Sequence, residues 1–154
     1  MATSAISGGI RVRRATPADI PQLPELCGQL GYPSSEEDVR KRFCGIDAAP
    51  DHALFVTETA DGRLIGLLHI FVMRTMESEA RGEIGGLVVD DAHRSHGVGK
   101  RLVEQAEYWA REHGCAVVSL RSNVIRDRAH SFYERLGYKH VKTQKSFRKN
   151  LPAI

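Results

Sequence analysis

The stretch that decides the fold is residues 82–102, GEIGGLVVDDAHRSHGVGKRL. Its run Leu87-Val88-Val89 is apolar and mostly β-branched, which is typical of a strand covered on both faces. Two aspartates end this strand, and a polar turn with two glycines follows. The apolar spacing after the turn predicts a helix. A strand, a glycine turn and a helix therefore follow one another within about twenty residues.

The glycine turn predicts a site for a phosphate or pyrophosphate. Gly97 and Gly99 let the backbone approach a ligand closely and turn its N–H groups inward. The helix that follows has a positive N-terminus, which attracts anions. Arg94 and Lys100 add formal charge on either side of the glycines.

Two common phosphate motifs do not describe this turn. A P-loop needs glycines farther apart and a Ser or Thr after its lysine, where this chain has Arg101. A dinucleotide fingerprint is a weak match, because Leu102 stands where the third glycine belongs and no βαβ unit opens the chain.

The remaining elements predict one α/β domain with a mixed sheet. Thr16 and Ser35 cap two helices, the first of which ends at Gly31, and Asp61-Gly62 joins two hairpin strands. The polar residues 74–81 predict a mobile loop, and Gly114 and Gly137 end two later helices. The predicted strands are residues 10–13, 52–58, 64–72, the strand ending at Val89, 116–123, 138–141 and 146–148.

Composition bounds the class of protein. A chain of 154 residues is about one domain, which we expect over residues 10–154 after a flexible N-terminus at residues 1–9. The net charge of +3 is small, and its basic residues are interleaved with acidic ones, so we expect no nucleic-acid partner. No apolar run approaches the ~20 residues that span a bilayer, so we expect no membrane partner.

The cysteine usage indicates a cytoplasmic protein. Cys27, Cys44 and Cys115 are widely spaced and form no C-x-x-C pair, so no metal or redox motif is evident. We expect all three to be small buried side chains in a reducing compartment. Residues 1–9, MATSAISGG, lack the basic start and apolar core of a signal peptide.

Two motifs together resemble a known family. Arg94, Gly97 and Gly99 fit R-x-x-G-x-G directly after an L-V-V-D strand, and residues 123–138, NVIRDRAHSFYERLGY, are similar to N-x-x-A-x-x-F-Y-x-x-x-G-[FY]. Both are similar to motifs of the GCN5-related N-acetyltransferases, the GNAT family, and the order of elements resembles that fold from end to end. The resemblance implies a mixed central sheet, splayed at the acetyl-CoA strand, with helices on both faces.

The same resemblance implies acetyl-CoA as co-substrate and no metal. In the family the pantetheine arm pairs with the backbone of the organising strand beside a bulge, which falls here at Gly85-Gly86. The backbone N–H of Leu87 or Val88 would then serve as the oxyanion donor. The cofactor-binding residues that the resemblance implies are Leu87, Val88, Val89, Arg94, Ser95, His96, Gly97, Val98, Gly99, Lys100, Asn123 and Tyr133.

The implied reaction is direct attack of an amine on the thioester in a ternary complex. Tyr133 stands where the family has the tyrosine that protonates the leaving thiolate. The commoner family pattern has an acidic residue where this chain has Gly85 or Gly86, so Glu83, acting through water, is the candidate base, with Glu77 and Glu79 weaker candidates. His130 is a candidate lining residue, whereas we expect structural roles for the other histidines: His52, His69, His93, His113 and His140.

The acceptor and the partners stay open at this level. The segment at residues 122–133 is similar to members that acetylate small aminoalkyl compounds or amino sugars. A protein lysine or N-terminal amine is an alternative acceptor, and a non-catalytic acyl-CoA sensor is an alternative class. Similar proteins are often dimers, so a homodimer is an expectation that the sequence does not test.

Overall fold

The structure is a computed structural model that describes residues 9–154. These residues form two compact units, one that ends at Arg121 and one formed by Ser122–Ile154. Residues 1–8, which make up nearly all of the expected flexible N-terminus, lie outside the described part of the chain. The prediction that residues 10–154 form one domain stays a prediction.

The first unit is built on a five-stranded sheet whose strands lie in chain order. The pairs from β1 to β4 are antiparallel, and β5 pairs with β4 in parallel, so the predicted mixed sheet is confirmed. The strands are β1 Arg11–Arg14, β2 His52–Glu58, β3 Leu64–Thr75, β4 Ser78–Val89 and β5 Val118–Leu120.

The helices begin and end at the residues that cap them. Ser35 accepts a hydrogen bond from the Asp38 N–H at 3.1 Å, and Gly31 ends the first helix in the left-handed conformation. The region predicted as one helix after Thr16 starts with a 3-10 segment, Pro17–Gln22, because Pro21 has no N–H for a helical bond. The helices are α1 Leu23–Leu30, α2 Glu36–Asp47, α3 Val98–Glu112 and, in the second unit, α4 Asp127–Arg135.

Helices cover both faces of the sheet. On one face, α3 packs so closely that a Cβ added to Gly82 would lie 2.9 Å from the Cβ of Ala110. The other face carries a core in which Leu26 of α1 and Phe43 of α2 join Val56 and Val88 of the sheet. The apolar side of α3 is buried as predicted, through Val98, Leu102, Val103, Ala106, Trp109 and Ala110.

The prediction of a mobile loop at residues 74–81 is wrong. β3 continues to Thr75 and β4 begins at Ser78, with Met73 paired to Arg81 and Thr75 paired to Ser78. The stretch is polar because this end of the hairpin extends past the core into solvent, so the pattern reflects exposure and not the lack of a strand.

The C-terminal strands differ from prediction as well. The strand expected over residues 116–123 is reduced to Val118–Leu120, and residues 138–141 and 146–148 form no strand. A strand exists only through a ladder with a neighbour, and an alternating apolar pattern does not specify that neighbour.

The cysteines are free thiols in different surroundings. Cys115 is buried and Cys27 is half-buried, but Cys44 is exposed, so the expectation of burial is wrong for Cys44. It lies on the outer side of α2, one residue beyond the buried Phe43. No helix of residues 9–154 combines the length and apolar character that crossing a membrane requires.

Candidate active site

A bulge in β4 marks the centre of the candidate site. His69 of β3 pairs with Gly86 and Ile70 pairs with Ile84, so Gly85 is an extra residue on β4. The bulge predicted at Gly85-Gly86 is therefore confirmed. It bends β4 at the point where its neighbour on the other side ends.

Beyond the bulge, one side of β4 is free of any strand partner among residues 9–154. The ladder to β5 ends with the pair Ile84–Leu120, whereas β4 continues to Val89. The Asp90 N–H donates to the Ile65 carbonyl of β3 at 2.8 Å, and alternation along the strand places the backbone groups of Val88 on the same side.

The backbone groups of Leu87 and Val89 consequently point away from β3, towards the side where β5 has ended. Leu87 and Val89 are half-buried, whereas Val88, on the other face of the strand, is buried in the core with Leu26. Of the two oxyanion donors considered from the sequence, the N–H of Leu87 is the one that faces this gap. The gap offers amide donors and acceptors in the spacing of a missing strand.

After the end of β4 at Val89, the chain turns and begins α3 at Val98. Gly97 is the N-cap, with φ 79, and the first helical bond runs from the Arg101 N–H to the Gly97 carbonyl at 3.1 Å. The N–H groups of Val98, Gly99 and Lys100 precede that bond, so the helix itself gives them no acceptor.

The first turns of α2 and α3 differ in the side chains that stabilise their N-terminal N–H groups. In α2 the Ser35 side chain caps the end, and Glu36, Glu37 and Asp38 occupy the first turn. In the described residues at the start of α3, no side chain caps the end and the first turn holds no Asp or Glu. The N–H donors and the positive potential of such a helix end suit the binding of an external anion.

The loop before α3 adds two cations to this end. Arg94 is partly exposed and pairs with Asp91 at 2.8 Å, which holds its guanidinium near the turn. Lys100 is exposed and lies 3.9 Å from Glu104. Ser95 adopts a left-handed φ of 68, and His96 after it is exposed.

A cleft of about 390 Å³ opens beside the bulge, on the face of the sheet opposite to α3. Glu83 is its acidic residue and is only 6% exposed. The Ser119 hydroxyl donates to the Glu83 carboxylate, and the guanidinium nitrogens of Arg81 and Arg121 lie 3.9 Å and 3.8 Å from it. The cleft is lined by His69, Phe71, Met73, Glu83, Ile84, Gly85 and Arg121.

The weaker acidic candidates lie elsewhere. Glu77 is in the turn between β3 and β4, and Glu79 is at the start of β4; both are exposed. Since Glu83 is the one that lines the cleft, it remains the candidate base among these three carboxylates.

The sequence did not indicate His69, which also lines this cleft. His69 Nε2 lies 3.0 Å from His52 Nδ1, and the His52 ring stacks on both His69 and Phe71. Burial, and secondarily the neighbouring His52, lower the pKa of His69 to about 4. The alternation of β3 places His69 and Phe71 on one face, but this pattern alone does not show that the face lines a cleft.

The second unit holds the remaining predicted residues. Tyr133 lies in α4 with Phe132 and Tyr138 at ring distances of 5.1 Å and 5.8 Å. Burial raises the pKa of Tyr133 to about 12, so the phenol keeps its proton at neutral pH. His130 Nε2 donates to the Asn123 carbonyl at 2.9 Å, and the Asn123 side chain accepts from the Ile125 N–H at 3.2 Å. These two bonds fix the turn before α4.

Comparison with known proteins identifies the family. Residues 18–138 match the model of the acetyltransferase (GNAT) family. The chain belongs to the GNAT family. It is therefore an acyltransferase of the N-acetyltransferase type, and the resemblance carried by Arg94, Gly97 and Gly99 is confirmed.

Several relatives of this GNAT chain are acetyltransferases of small amines. An aminoglycoside N(6')-acetyltransferase type 1 of Stenotrophomonas maltophilia is 28% identical over 93% of this chain and 95% of its own length. An aminoalkylphosphonate N-acetyltransferase of Salmonella typhimurium is 34% identical over 51% of this chain and 52% of its own. The crystal structure of a glucosamine-6-phosphate N-acetyltransferase from Arabidopsis thaliana matches with a TM-score of 0.80 and 25% identity, over 92% of this chain and 99% of that one.

Acetyl-CoA, the acyl donor of the family, fits the residues present in this GNAT chain. The free side of Leu87 and Val89 matches an extended arm with two amides, and the uncapped end of α3 matches a diphosphate. Among residues 9–154, no group of three or more His, Cys, Asp and Glu side chains is arranged to hold a metal ion.

Proposed function

We propose that this GNAT chain transfers an acetyl group from acetyl-CoA to the primary amine of a small molecule, by direct attack in a ternary complex. The observation that carries the proposal is the path along β4: a bulge at Gly85, a free strand side at Leu87 and Val89, and an uncapped helix end at Val98. These features follow one another along the chain in the order in which a thioester, a pantetheine arm and a diphosphate follow one another in acetyl-CoA.

The donor is held mainly by backbone groups in this proposal. Leu87 and Val89 pair with the pantetheine amides, and Asn123 contributes a further hydrogen bond to that arm. The N–H groups from His96 to Lys100 bind the pyrophosphate, and Arg94 and Lys100 neutralise its charge. Ser95 shapes the turn through its left-handed conformation.

The acceptor amine lies in the cleft beside Glu83. A primary amine is protonated at neutral pH, so the buried carboxylate of Glu83 attracts it and receives one proton through water. The N–H of Leu87 stabilises the negative charge that develops on the carbonyl oxygen during attack. Tyr133 donates a proton to the leaving thiolate, a role for which its raised pKa keeps the phenol protonated.

The experiment is thiol release from acetyl-CoA against a panel of amines, with Tyr133→Phe beside the wild type. The panel contains aminoalkylphosphonates, amino sugar phosphates, aminoglycosides and lysine peptides. We expect turnover of one class of small amine, and a fall in kcat of about 100-fold or more in Tyr133→Phe with acetyl-CoA affinity retained. Tyr108→Phe, on the partly exposed side of α3, is the matched control and keeps its rate.

Other outcomes redirect the proposal. Turnover of lysine peptides alone identifies a protein acetyltransferase. Tight acetyl-CoA binding with no acceptor at all identifies an acyl-CoA sensor, and the catalytic roles of Tyr133 and Glu83 are then withdrawn. An unchanged kcat in Tyr133→Phe removes Tyr133 alone from the mechanism.

A further inference from the structure

His69 lines the cleft on the side next to Gly85, the extra residue of the β4 bulge. A Cβ added to Gly85 would lie 2.9 Å from Nδ1 of His69, so the imidazole fills the space that a side chain at position 85 would take. His69 also lines a second, smaller cavity of about 150 Å³, together with Leu30, Leu67, Gly85 and Gly86. Its ring therefore lies beside the bulge and borders both the smaller cavity and the cleft.

The two nitrogens of His69 face different partners. Nδ1 is the nitrogen closest to the bulge at Gly85, and Nε2 lies 3.0 Å from Nδ1 of His52. In the tautomer in which His69 Nε2 donates to His52 Nδ1, the lone pair of His69 Nδ1 faces the bulge. His52 is half-buried at the first position of β2, so a proton that reaches it can pass on to solvent.

We propose that His69 accepts the proton that the attacking nitrogen loses as the amide forms, and that His52 receives this proton from His69. The inference rests on the proposed function, because it assumes that the amine attacks the thioester beside Gly85. It adds a second proton acceptor to the one assigned to Glu83.

The proton balance of the reaction calls for two acceptors. An ammonium loses one proton to become a nucleophile, and Glu83 receives that proton through water. The nitrogen lone pair then forms the bond to the carbonyl carbon while the bond from carbon to sulfur breaks, and the electron pair of that bond goes to sulfur. The nitrogen is now positively charged and loses a second proton, to Nδ1 of His69. The proton on His69 Nε2 moves to His52 Nδ1.

A weakly basic imidazole suits this second transfer. Burial and His52 lower the pKa of His69, so its ring is neutral and able to accept a proton at every pH near neutrality. A nitrogen that has bonded to a carbonyl carbon is far more acidic than the free ammonium, so a strong base is unnecessary. The charged groups that share the cleft with His69 are Glu83 and Arg121, with Arg81 beside Glu83, and α1 contributes only the apolar Leu30 at this point.

Glu83 is less suited to the second transfer. The Ser119 hydroxyl already donates to its carboxylate, and two guanidiniums lie within 4 Å. Once Glu83 has received the first proton through water, its carboxyl group is neutral and cannot take the second, whereas His69 passes its proton onward through an existing hydrogen bond. The carboxylate is better placed to hold the ammonium before attack.

The test compares His69→Gln, His69→Ala and His52→Gln with the wild type, using the amine that the wild type acetylates. We expect His69→Gln to lower kcat by about 100-fold, with the KM for acetyl-CoA unchanged, and added imidazole to restore part of the rate in His69→Ala. His113→Ala is the control, since His113 stacks on Trp109 at the end of α3 and on the other face of the sheet.

The pH dependence of kcat distinguishes a proton acceptor from a residue that only supports the fold, because only a proton acceptor determines the position of the acid limb. His52→Gln removes one cause of the lowered pKa of His69, so the acid limb of kcat at saturating amine moves to higher pH. This variant decides the question if the His69 variants do not fold. A wild-type rate in His69→Gln, a rise in the KM for the amine alone, or an unshifted acid limb in His52→Gln would overturn the assignment. A wild type that acetylates no amine refutes the proposed function itself.

Discussion

At the scale of single residues, Gly85 and His69 depend on each other. The bulge brings position 85 within van der Waals reach of the imidazole, so a side chain there and a ring at position 69 compete for the same space. In this chain position 85 is glycine, and the imidazole of His69 occupies the space. A polar group that can exchange protons thus stands beside the bulge, although β4 itself supplies none there.

The lowered pKa of His69 predicts a pH dependence of stability. The unfolded chain binds a proton at this residue below the ordinary pKa of 6.5, whereas the folded chain binds it only near pH 4. The contribution of His69 to the free energy of unfolding is therefore complete above pH 6.5 and is lost as the pH falls towards 4. Because the ring is partly exposed, we expect a loss on the order of 1–2 kcal/mol.

Urea unfolding of the wild type and His69→Gln, at about pH 7 and about pH 4.5, measures this loss. The decrease in unfolding free energy should be smaller in His69→Gln. Asp19 and Glu58, whose pKa values Arg13 lowers, also lose stabilisation in acid, but they do so equally in both proteins. Equal decreases in the two proteins would show that His69 is not held neutral by the fold.

The sequence predicted residues whose role depends on neighbours along the chain, and it failed for His69. Gly97 and Gly99 are recognisable because the turn and the helix that need them are adjacent in sequence. His69 acquires its place only when β3 pairs with β2 and β4, which brings His52 and Gly85 to it from 17 and 16 positions away. No local pattern distinguishes such a histidine from one that merely packs in a strand.

At the scale of elements, α3 and β4 are held together by small residues. A Cβ at Gly82 would lie 2.9 Å from the Cβ of Ala110, which is rigid, so either the helix or the strand would have to move. We expect Gly82→Ala to lower the free energy of unfolding by about 1–3 kcal/mol. Because β4 carries the backbone groups that face the gap, a weaker affinity for acetyl-CoA should accompany the loss.

Gly45→Ala is the matched control for Gly82→Ala. Gly45 lies on the exposed side of α2, and a Cβ there meets nothing within 4 Å. Gly45→Ala should therefore stabilise the protein by about 0.5–1 kcal/mol, because alanine suits a helix interior better. Chemical denaturation and calorimetric titration with acetyl-CoA provide the two measurements. Equal stabilities of the two variants would contradict the close packing of α3 on β4.

The elements differ in how far the sequence could specify them. The helices were predictable because caps and apolar spacing are local, as Ser35 and the buried side of α3 demonstrate. The ends of the strands were not predictable in this way. The ladder between β3 and β4 continues to the pair Thr75–Ser78, where the residues are polar because the hairpin has left the core. The short β5 shows the same limit, since its ladder with β4 begins at Val118 although Ala116 and Val117 before it are also apolar.

At the scale of the whole molecule, charge bears on the acceptor. The chain carries a net charge of +3, and the cleft pairs one carboxylate, Glu83, with the guanidinium of Arg121, whose side chain is 76% exposed. An acceptor with one ammonium and one anionic group finds a partner for each charge there. An acceptor with several ammonium groups finds one carboxylate there together with the guanidiniums of Arg81 and Arg121, which oppose its approach.

We therefore expect a higher kcat/KM for amines that carry a phosphonate or phosphate than for aminoglycosides. Arg121→Gln should lower kcat/KM for the anionic amine by roughly tenfold, because a charge-assisted hydrogen bond is lost, and should leave the rate with an uncharged alkylamine nearly unchanged. Arg40→Gln, an exposed arginine of α2 paired with Glu36, is the control. Added salt should reduce the advantage of the anionic amine, since Arg121 is exposed. An aminoglycoside that outperforms the anionic amines, with no effect of Arg121→Gln, would assign the acceptor charge to groups outside this cleft.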